Sequence, residues 1–262
     1  MAYTFISGAT GGIGREFCFL CAEKGDDLYL TGRSEEKLSA LKKELSAVNP
    51  DIKISVFACD LTDKDKRAEM FSDIENGGIA FGRIINVAGA DIQKPFAEYT
   101  REKVLFQIRV NAEAAVDVTH GLLPFIKGGG QIITVGSMSG VTPMPYFALY
   151  SATKSFLADF FTALRYELKD RKIKVTTVLP GGVPTRPDVV QSIKEQGLWG
   201  KLSAKPADFV AVKSLKAARK NKAIYVPGGF NKFLYFVMKI TPKRVVMRFI
   251  ARRWKNQRKD AF

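Results

Sequence analysis

A short apolar run, Tyr3-Thr-Phe-Ile-Ser7, passes directly into Gly8-Ala-Thr-Gly11-Gly12-Ile-Gly14, and no other feature of the chain narrows its choice of fold so far. Beyond the glycines, Arg15 to Lys24 carries Phe17, Leu20 and Cys21 at helical spacing. Strand, glycine turn and helix in that order let backbone approach a phosphate closely. The helix amino terminus then supplies free N–H groups and a favourable dipole. The glycines stand as G-x-x-x-G-x-G at positions 8, 12 and 14, not as the commoner G-x-G-x-x-G. A tight strand-to-helix turn needs glycine whether or not it binds anything, so the loop acquires meaning only from its company.

That company is regular. Strand-like runs recur near residues 27–31, 52–58, 83–87, 131–136, 173–179 and 222–226, and segments of helical period separate them, notably 34–47, 100–123 and 148–170. In the last of these, Leu149, Ala152, Phe156, Leu157, Phe160, Phe161 and Leu164 recur every three or four residues, the pattern of a core or subunit-contact strip. Alternating strands and helices predict an α/β fold with a parallel sheet of about seven strands, covered by helices on both faces. A length of 262 residues suits one such domain. Asn86, Ser137 and Pro180 each follow a strand, so function gathers beyond the strands' carboxyl ends.

The chemistry is written in Tyr150-Ser-Ala-Thr-Lys154, with Ser137 thirteen residues before the tyrosine. Tyrosine is a poor acid or base near neutrality, because its free pKa is about 10. A lysine four residues later on a helix lies on the same face, one turn along. Its charge would stabilise the phenolate; a depression of about three units, roughly 4 kcal/mol, would bring the phenol near working pH. A serine hydroxyl nearby would hold a substrate oxygen while the tyrosine passes it a proton. That is machinery for interconverting a carbonyl and an alcohol. A Y-x-x-x-K pair by itself is more often a surface couple, and context decides between the two.

The motifs together resemble the short-chain dehydrogenase/reductase family from the first strand to about residue 226. In family order they are Gly8-x-x-x-Gly12-Ile13-Gly14, Asp60-Leu61-Thr62, Asn86-Val-Ala-Gly89, Asn111, Ser137, Tyr150-x-x-x-Lys154 and Pro180-Gly181-Gly182-Val183-Pro184-Thr185. The resemblance implies a Rossmann-type doubly wound sheet and a catalytic set of Asn111, Ser137, Tyr150 and Lys154. Tyr150 would be the general acid in reduction and the base in oxidation. Lys154 would tune it and bind the nicotinamide ribose, Ser137 would orient the carbonyl oxygen, and Asn111 would hold a relay water. Gly8, Thr10, Gly12, Ile13 and Gly14 would cradle the cofactor, Asp60 and Leu61 frame its adenine, and Asn86 and Gly89 the adenosine ribose side. Pro180, Gly181, Val183 and Thr185 would face the nicotinamide. Val87 stands where the family usually has a second, mainly structural asparagine, a change of little consequence for cofactor binding.

After the second strand the chain reads Thr31-Gly32-Arg33-Ser34, without the acid that NAD-selective relatives place there for the ribose 2′-hydroxyl. Arg33 would pair with a 2′-phosphate and stack on adenine, which predicts NADP(H) over NAD(H). Asp26 and Asp27 lie at the wrong end of the strand to serve.

Charge divides the chain unevenly. Residues 213–262 hold fifteen Lys and Arg against one acid, Asp260, whereas residues 1–212 are almost balanced. The same tail is rich in Phe, Tyr, Val, Met and Ile on either side of Thr241-Pro242, yet no unbroken apolar stretch is long enough to span a bilayer. Two short amphipathic helices are predicted, and residues 227–262 form an extension to a catalytic unit of residues 1–226. Three roles compete for this tail: docking on an anionic membrane surface through residues 228–262, a lid or subunit contact over the cleft, and, least favoured, nucleic-acid binding. The first strand begins within three residues of Met1 without a secretory signal, so the expected site is the cytoplasm, peripheral to a membrane if the tail docks.

Cys18-Phe-Leu-Cys21 has redox or metal spacing, but with only Cys59 and His120 besides, structural thiols and no metal site are expected. Asp188 and Glu195 fall in a segment expected to be a mobile lid. Met138, Val141, Met144, Tyr146 and Phe147 surround the reactive motifs and suggest an apolar substrate. Relatives pair through the two long helices, so a homodimer or homotetramer is expected. Two functions of different class remain: reduction of a lipophilic carbonyl (3-oxoacyl, steroid-like or another ketone) with NADPH, or a membrane-associated or regulatory dinucleotide binder with little turnover.

Overall fold

The computed structural model describes residues 2–255 and the backbone of Lys259–Asp260. Strand β1 (Tyr3–Ser7) leads through the glycine loop into helix α1 (Gly12–Ala22), followed by β2 (Leu28–Gly32), α2 (Glu35–Val48), β3 (Ile54–Ala58) and α3 (Lys64–Asn76). The second half begins with β4 (Phe81–Asn86) and continues through a two-residue strand β5 (Ile92–Gln93), α4 (Arg101–Ile108), α5 (Ala114–Leu122) and β6 (Ile126–Val135). Then come α6 (Ala148–Glu167), β7 (Lys174–Val178), α7 (Pro187–Glu195), α8 (Gly197–Ser203), α9 (Ala207–Arg219) and β8 (Ile224–Tyr225). The tail folds as α10 (Gly229–Ile240) and α11 (Lys243–Trp254), and a last short strand, β9 (Lys259–Asp260), pairs antiparallel with β5.

Seven parallel strands lie in the order β3-β2-β1-β4-β6-β7-β8. Order runs outward in both directions from the β1–β4 pair, so the sheet has its switch point there, where such sheets open a crevice. Adjacent residues of a strand face opposite sides. Phe5, Ile84 and Ile132 accordingly join one core with Met70 of α3, Val118 of α5 and Phe161 of α6. Their neighbours Ile6, Ile85 and Ile133 join a second core with Phe17 of α1, Leu41 of α2 and Leu215 of α9. Two buried faces explain why the strands read as continuous apolar runs.

The predicted helix over 100–123 is present from Arg101 to Leu122, but its winding is not uniform. A π-helical turn spans Arg109–Glu113 between α4 and α5, with Asn111 at its centre. The cause is a side-chain contract: Asn111 Oδ1 accepts from the Ala90 amide at 2.7 Å, and its Nδ2 donates to Ala90 O at 2.8 Å. One extra residue in the turn turns that side chain toward the loop after β4, and π-turns of this kind concentrate at functional sites. In the tail, the break expected at Thr241-Pro242 is present; proline has no N–H with which to continue α10.

Candidate active site

Ser137, Tyr150 and Lys154 line one cavity of about 350 Å³, together with Ile13, Gly89 and the segment Pro180–Val183. Ser137 lies two residues beyond the end of β6 and caps a short 3-10 turn, Met138–Gly140, by accepting from the Ser139 amide at 3.0 Å. Its hydroxyl also hydrogen-bonds the Tyr150 oxygen. Gly140 makes this approach feasible: a Cβ there would lie 2.6 Å from the Lys154 carbonyl carbon, so α6 packs flat against the turn. Tyr150 stacks on Phe147, with ring centroids 4.3 Å apart, and Lys154 Nζ stands 5.7 Å from the tyrosine ring centroid. The lysine is buried and donates to Val135 O at 3.0 Å.

The electrostatics correct one expectation. The lysine was predicted to pull the phenol toward neutrality, but burial pushes Tyr150 well above the ordinary phenol range, reinforced by the Asp91 carboxylate. The Ser137 hydrogen bond and the charge of Arg186 pull the other way without prevailing. Burial also holds Lys154 down to about 8, partly countered by Asp91. Desolvation disfavours both charged forms, and it is the largest influence on each. In the ligand-free chain, Tyr150 is therefore a phenol that keeps its proton.

Asn111 is fully buried and does not reach the cavity wall; its amide also donates to Thr153 Oγ1 at 3.2 Å. A Cβ at Gly89 would lie 3.0 Å from Asn111 Oδ1 and 3.2 Å from Lys154 Nζ, so this glycine is the spacer between the two. Asn86 is engaged elsewhere. Its Nδ2 donates to Thr119 Oγ1 at 2.9 Å inside the protein, while its Oδ1 is buried without a hydrogen-bond partner.

The glycine loop fits a pyrophosphate. Gly8 adopts φ +64°, and a Cβ there would meet the Ala88 amide nitrogen at 2.9 Å. Gly14 packs against Gly8 O, where any side chain would collide. Helix α1 opens at Gly11 with no side-chain cap and no acid in its first turn, so its N–H groups and dipole face the cleft uncompensated. A Cβ at Gly12 would strike the Thr185 methyl, which sets the two lips of the cleft against each other. At the outer end, Gly32 lies beside Thr10, which brings the exposed Arg33 next to this loop. Asp60 is exposed and accepts from Thr62 N and Oγ1 at 2.9 and 2.8 Å, and Leu61 is buried. These donors, acceptors and missing side chains match the parts of a nicotinamide dinucleotide.

Of the apolar residues expected at the substrate side, Met138, Met144 and Phe147 line the cavity, and Val141 packs beneath it. Tyr146, at φ +63°, turns to a separate depression with Phe96 and Leu149. The sequence did not name the residues of the opposite wall, though a lid was expected after Pro180 and was one reading of the tail. Val189 and Ile193 of α7, Leu234 and Met238 of α10 and Trp254 of α11 complete it, with Asp91 and Arg186 bridged at 2.6 Å between the two sides. Those lid readings pointed to the segments and not to the residues; Asp91 carried no signal beyond following Gly89-Ala90. Cys18, Cys21 and Cys59 are all buried, and burial pushes Cys21 and Cys59 to about 12.

The profile of the short chain dehydrogenase family matches residues 2–196. The chain belongs to the short-chain dehydrogenase/reductase family. It is 34% identical over 182 residues to a very-long-chain 3-oxoacyl-CoA reductase of Neurospora crassa, a match covering 68% of this chain and 54% of that protein. This chain thus spans about half the length of that relative. A sulfoacetaldehyde reductase of Chromohalobacter salexigens is 34% identical over 196 residues, covering 73% of this chain and 76% of the relative. Among solved structures, a 7β-hydroxysteroid dehydrogenase superposes with a TM-score of 0.83 at 22% identity, over 95% of this chain and 96% of that one, a likeness of fold. Among the described residues, no helix is long and apolar enough to cross a membrane.

Proposed function

We propose that this chain is an NADP(H)-dependent oxidoreductase that reduces the carbonyl of a lipophilic substrate to an alcohol. The carrying observation is that Ser137, Tyr150 and Lys154 share a single cavity wall while Met144, Phe147, Met238 and Trp254 give the space an apolar character. A reduced nicotinamide bound along Gly8–Gly14 and Pro180–Thr185 would supply the hydride. Ser137 donates a hydrogen bond to the carbonyl oxygen and holds it against the Tyr150 phenol. Tyr150, kept protonated by its burial, releases that proton as negative charge grows on the oxygen. Lys154 stabilises the phenolate left behind, which matters more once the proton has moved than before. Asn111 fixes Ala90, and through Gly89 the floor under Lys154, so its part in any water relay would follow from this anchoring.

Arg33 beside Thr10, with no acid at the end of β2, supports the 2′-phosphate and hence NADP(H). The long-chain 3-oxoacyl relative and the apolar wall together support a lipophilic ketone such as a 3-oxoacyl or steroid-like one. Residues 1–226 form the catalytic unit in this reading, with 227–262 as its extension. Exposed Leu105 and Ile108 on α4 and Phe156 on α6 support pairing into a homodimer or homotetramer through those helices. Steady-state kinetics on a panel of lipophilic and polar ketones, with NADPH and NADH in parallel, tests the reading. Turnover of a lipophilic ketone with NADPH preferred, and that preference lost in Arg33→Ala, is the expected result. Equal or better use of NADH would overturn the cofactor assignment, and absence of turnover on every ketone would favour a dinucleotide binder.

A further inference from the structure

Helices α10 and α11 carry two apolar faces each, where packing on the body of the protein requires only one. The inner faces are accounted for: Leu234, Tyr235 and Met238 pack beside Met138 and Leu179, and Val246, Ile250 and Trp254 pack beside Met144 and Phe147. The outer faces are not. Phe233, Phe236 and Ile240 follow at helical intervals on α10, Val245 and Phe249 on α11, and each is 56–65% exposed. Trp199 of α8, 47% exposed and 5.5 Å from the Phe230 ring, extends the same surface. Scattered exposed apolar side chains are ordinary; a contiguous row of large ones is not.

Around this row stand seven Lys and Arg residues of the two helices, from Lys232 to Arg253, all exposed and with no Asp or Glu between them. We propose that the outer faces of α10 and α11 dock the protein onto an anionic lipid bilayer and that the substrate passes from the bilayer into the cavity these helices wall. Basic residues beside aromatic and aliphatic ones on short helices match a headgroup layer above acyl chains. A second copy is a poorer occupant, because a two-fold contact would set this cationic surface against itself. Nucleic acid would satisfy the charges and leave the phenylalanines in water.

The second half of the proposal rests on the reading of the cavity as a ketone-reducing site. Trp254 meets Phe147 edge to face at 5.8 Å, and Phe147 stacks on Tyr150 at 4.3 Å, so aromatic contact runs unbroken from α11 to the reactive phenol. A side chain of the docking helices, Met238, also lines that cavity. The helices that would touch the bilayer are thus the same ones that wall the space beside the phenol, and this shared wall is the route proposed for a bilayer-dissolved ketone.

The test uses the full chain and two kinds of vesicle, phosphatidylcholine alone and phosphatidylcholine with phosphatidylserine, read by co-sedimentation at low and high salt. Wild type is expected to bind the anionic vesicles, more weakly as salt rises, and to ignore the neutral ones. Phe236→Glu combined with Phe249→Glu should lower the partition coefficient about a hundredfold, the equivalent of two aromatic side chains returned to water. The same protein should still turn over a short, water-soluble ketone and lose rate only on a bilayer-dissolved one. Should that variant fail to fold, Lys239→Gln with Arg244→Gln and Arg248→Gln leaves the apolar row intact and should abolish the preference for anionic vesicles. Unchanged vesicle binding in both variants would overturn docking, as would wild type that binds a DNA duplex but no vesicle. Wild type that binds no vesicle, with Phe236→Glu/Phe249→Glu reducing its oligomeric mass, would assign the surface to a second copy and also overturn it. Equal loss of rate on both ketones would overturn the bilayer route alone. Failure of wild type on the soluble ketone strikes the reductase reading, and the sedimentation result then stands or falls independently.

Discussion

Replacing Lys154 with methionine should stabilise the ligand-free protein near neutral pH while abolishing its turnover. The magnitude follows from burial. The ammonium sits inside the protein with Val135 O at 3.0 Å, and its pKa falls from 10.5 to about 8. A depressed lysine is a liability of the folded state: below the folded value both states carry the proton, and the folded chain bears the full desolvation cost. That cost is about 3 kcal/mol, taking roughly 1.4 kcal/mol per unit of the shift. Between about 8 and 10.5 the unfolded chain binds more protons than the folded one, so stability rises with pH and the cost disappears. Methionine has similar length and no charge, but loses the hydrogen bond to Val135 O, worth about 1 kcal/mol. Lys154→Met should then be more stable than wild type by about 2 kcal/mol at neutral pH, with the gap closing as pH climbs. Urea unfolding followed by circular dichroism across that range measures it, since urea leaves charge unscreened where guanidinium would not. A difference that ignores pH, or one that widens as pH rises, would refute a desolvated ammonium at this position.

Gly8→Ala should destabilise the chain by about 2–3 kcal/mol, since it forces a Cβ onto a left-handed backbone at φ +64° and against the Ala88 nitrogen. Thermal unfolding should show a fall of about 5 °C or more, and NADPH titration a weaker complex; an unchanged Tm would contradict the loop geometry. Because the Tyr150 phenol is held above its ordinary range, reduction should stay level through neutral pH while alcohol oxidation climbs with pH in the alkaline region, about tenfold per unit at most. Rate profiles in both directions read this, and a reduction rate already falling near neutrality would contradict a proton-holding phenol.

Local pattern carried much of the architecture. The strand, glycine loop and helix at the amino terminus, the period of α6 and the tail's break at Pro242 are all set within a few residues, and each stands where the pattern placed it. What the pattern could not carry depends on distance along the chain. The π-turn at Asn111 exists because Ala90, some twenty residues earlier, offers both an amide and a carbonyl to one side chain. Tyr150 and Lys154 are four apart as the helix requires, but the burial that shifts both, and the Asp91 carboxylate that acts on each, come from packing that a helical wheel does not show. Likewise the cavity owes one wall to Leu234, Met238 and Trp254, in a tail whose amphipathic pattern left cleft cover, subunit contact and membrane docking all open.

A Tyr150 that donates the proton to a carbonyl beside the dinucleotide is indispensable to turnover and dispensable for cofactor binding. Turnover of a reducible ketone by Tyr150→Phe, at saturating NADPH and with cofactor binding checked by fluorescence titration, tests it most directly. The predicted result is intact NADPH binding with a rate about a thousandfold below wild type. A Tyr150→Phe protein that binds NADPH and reduces the ketone at the wild-type rate would contradict the account outright.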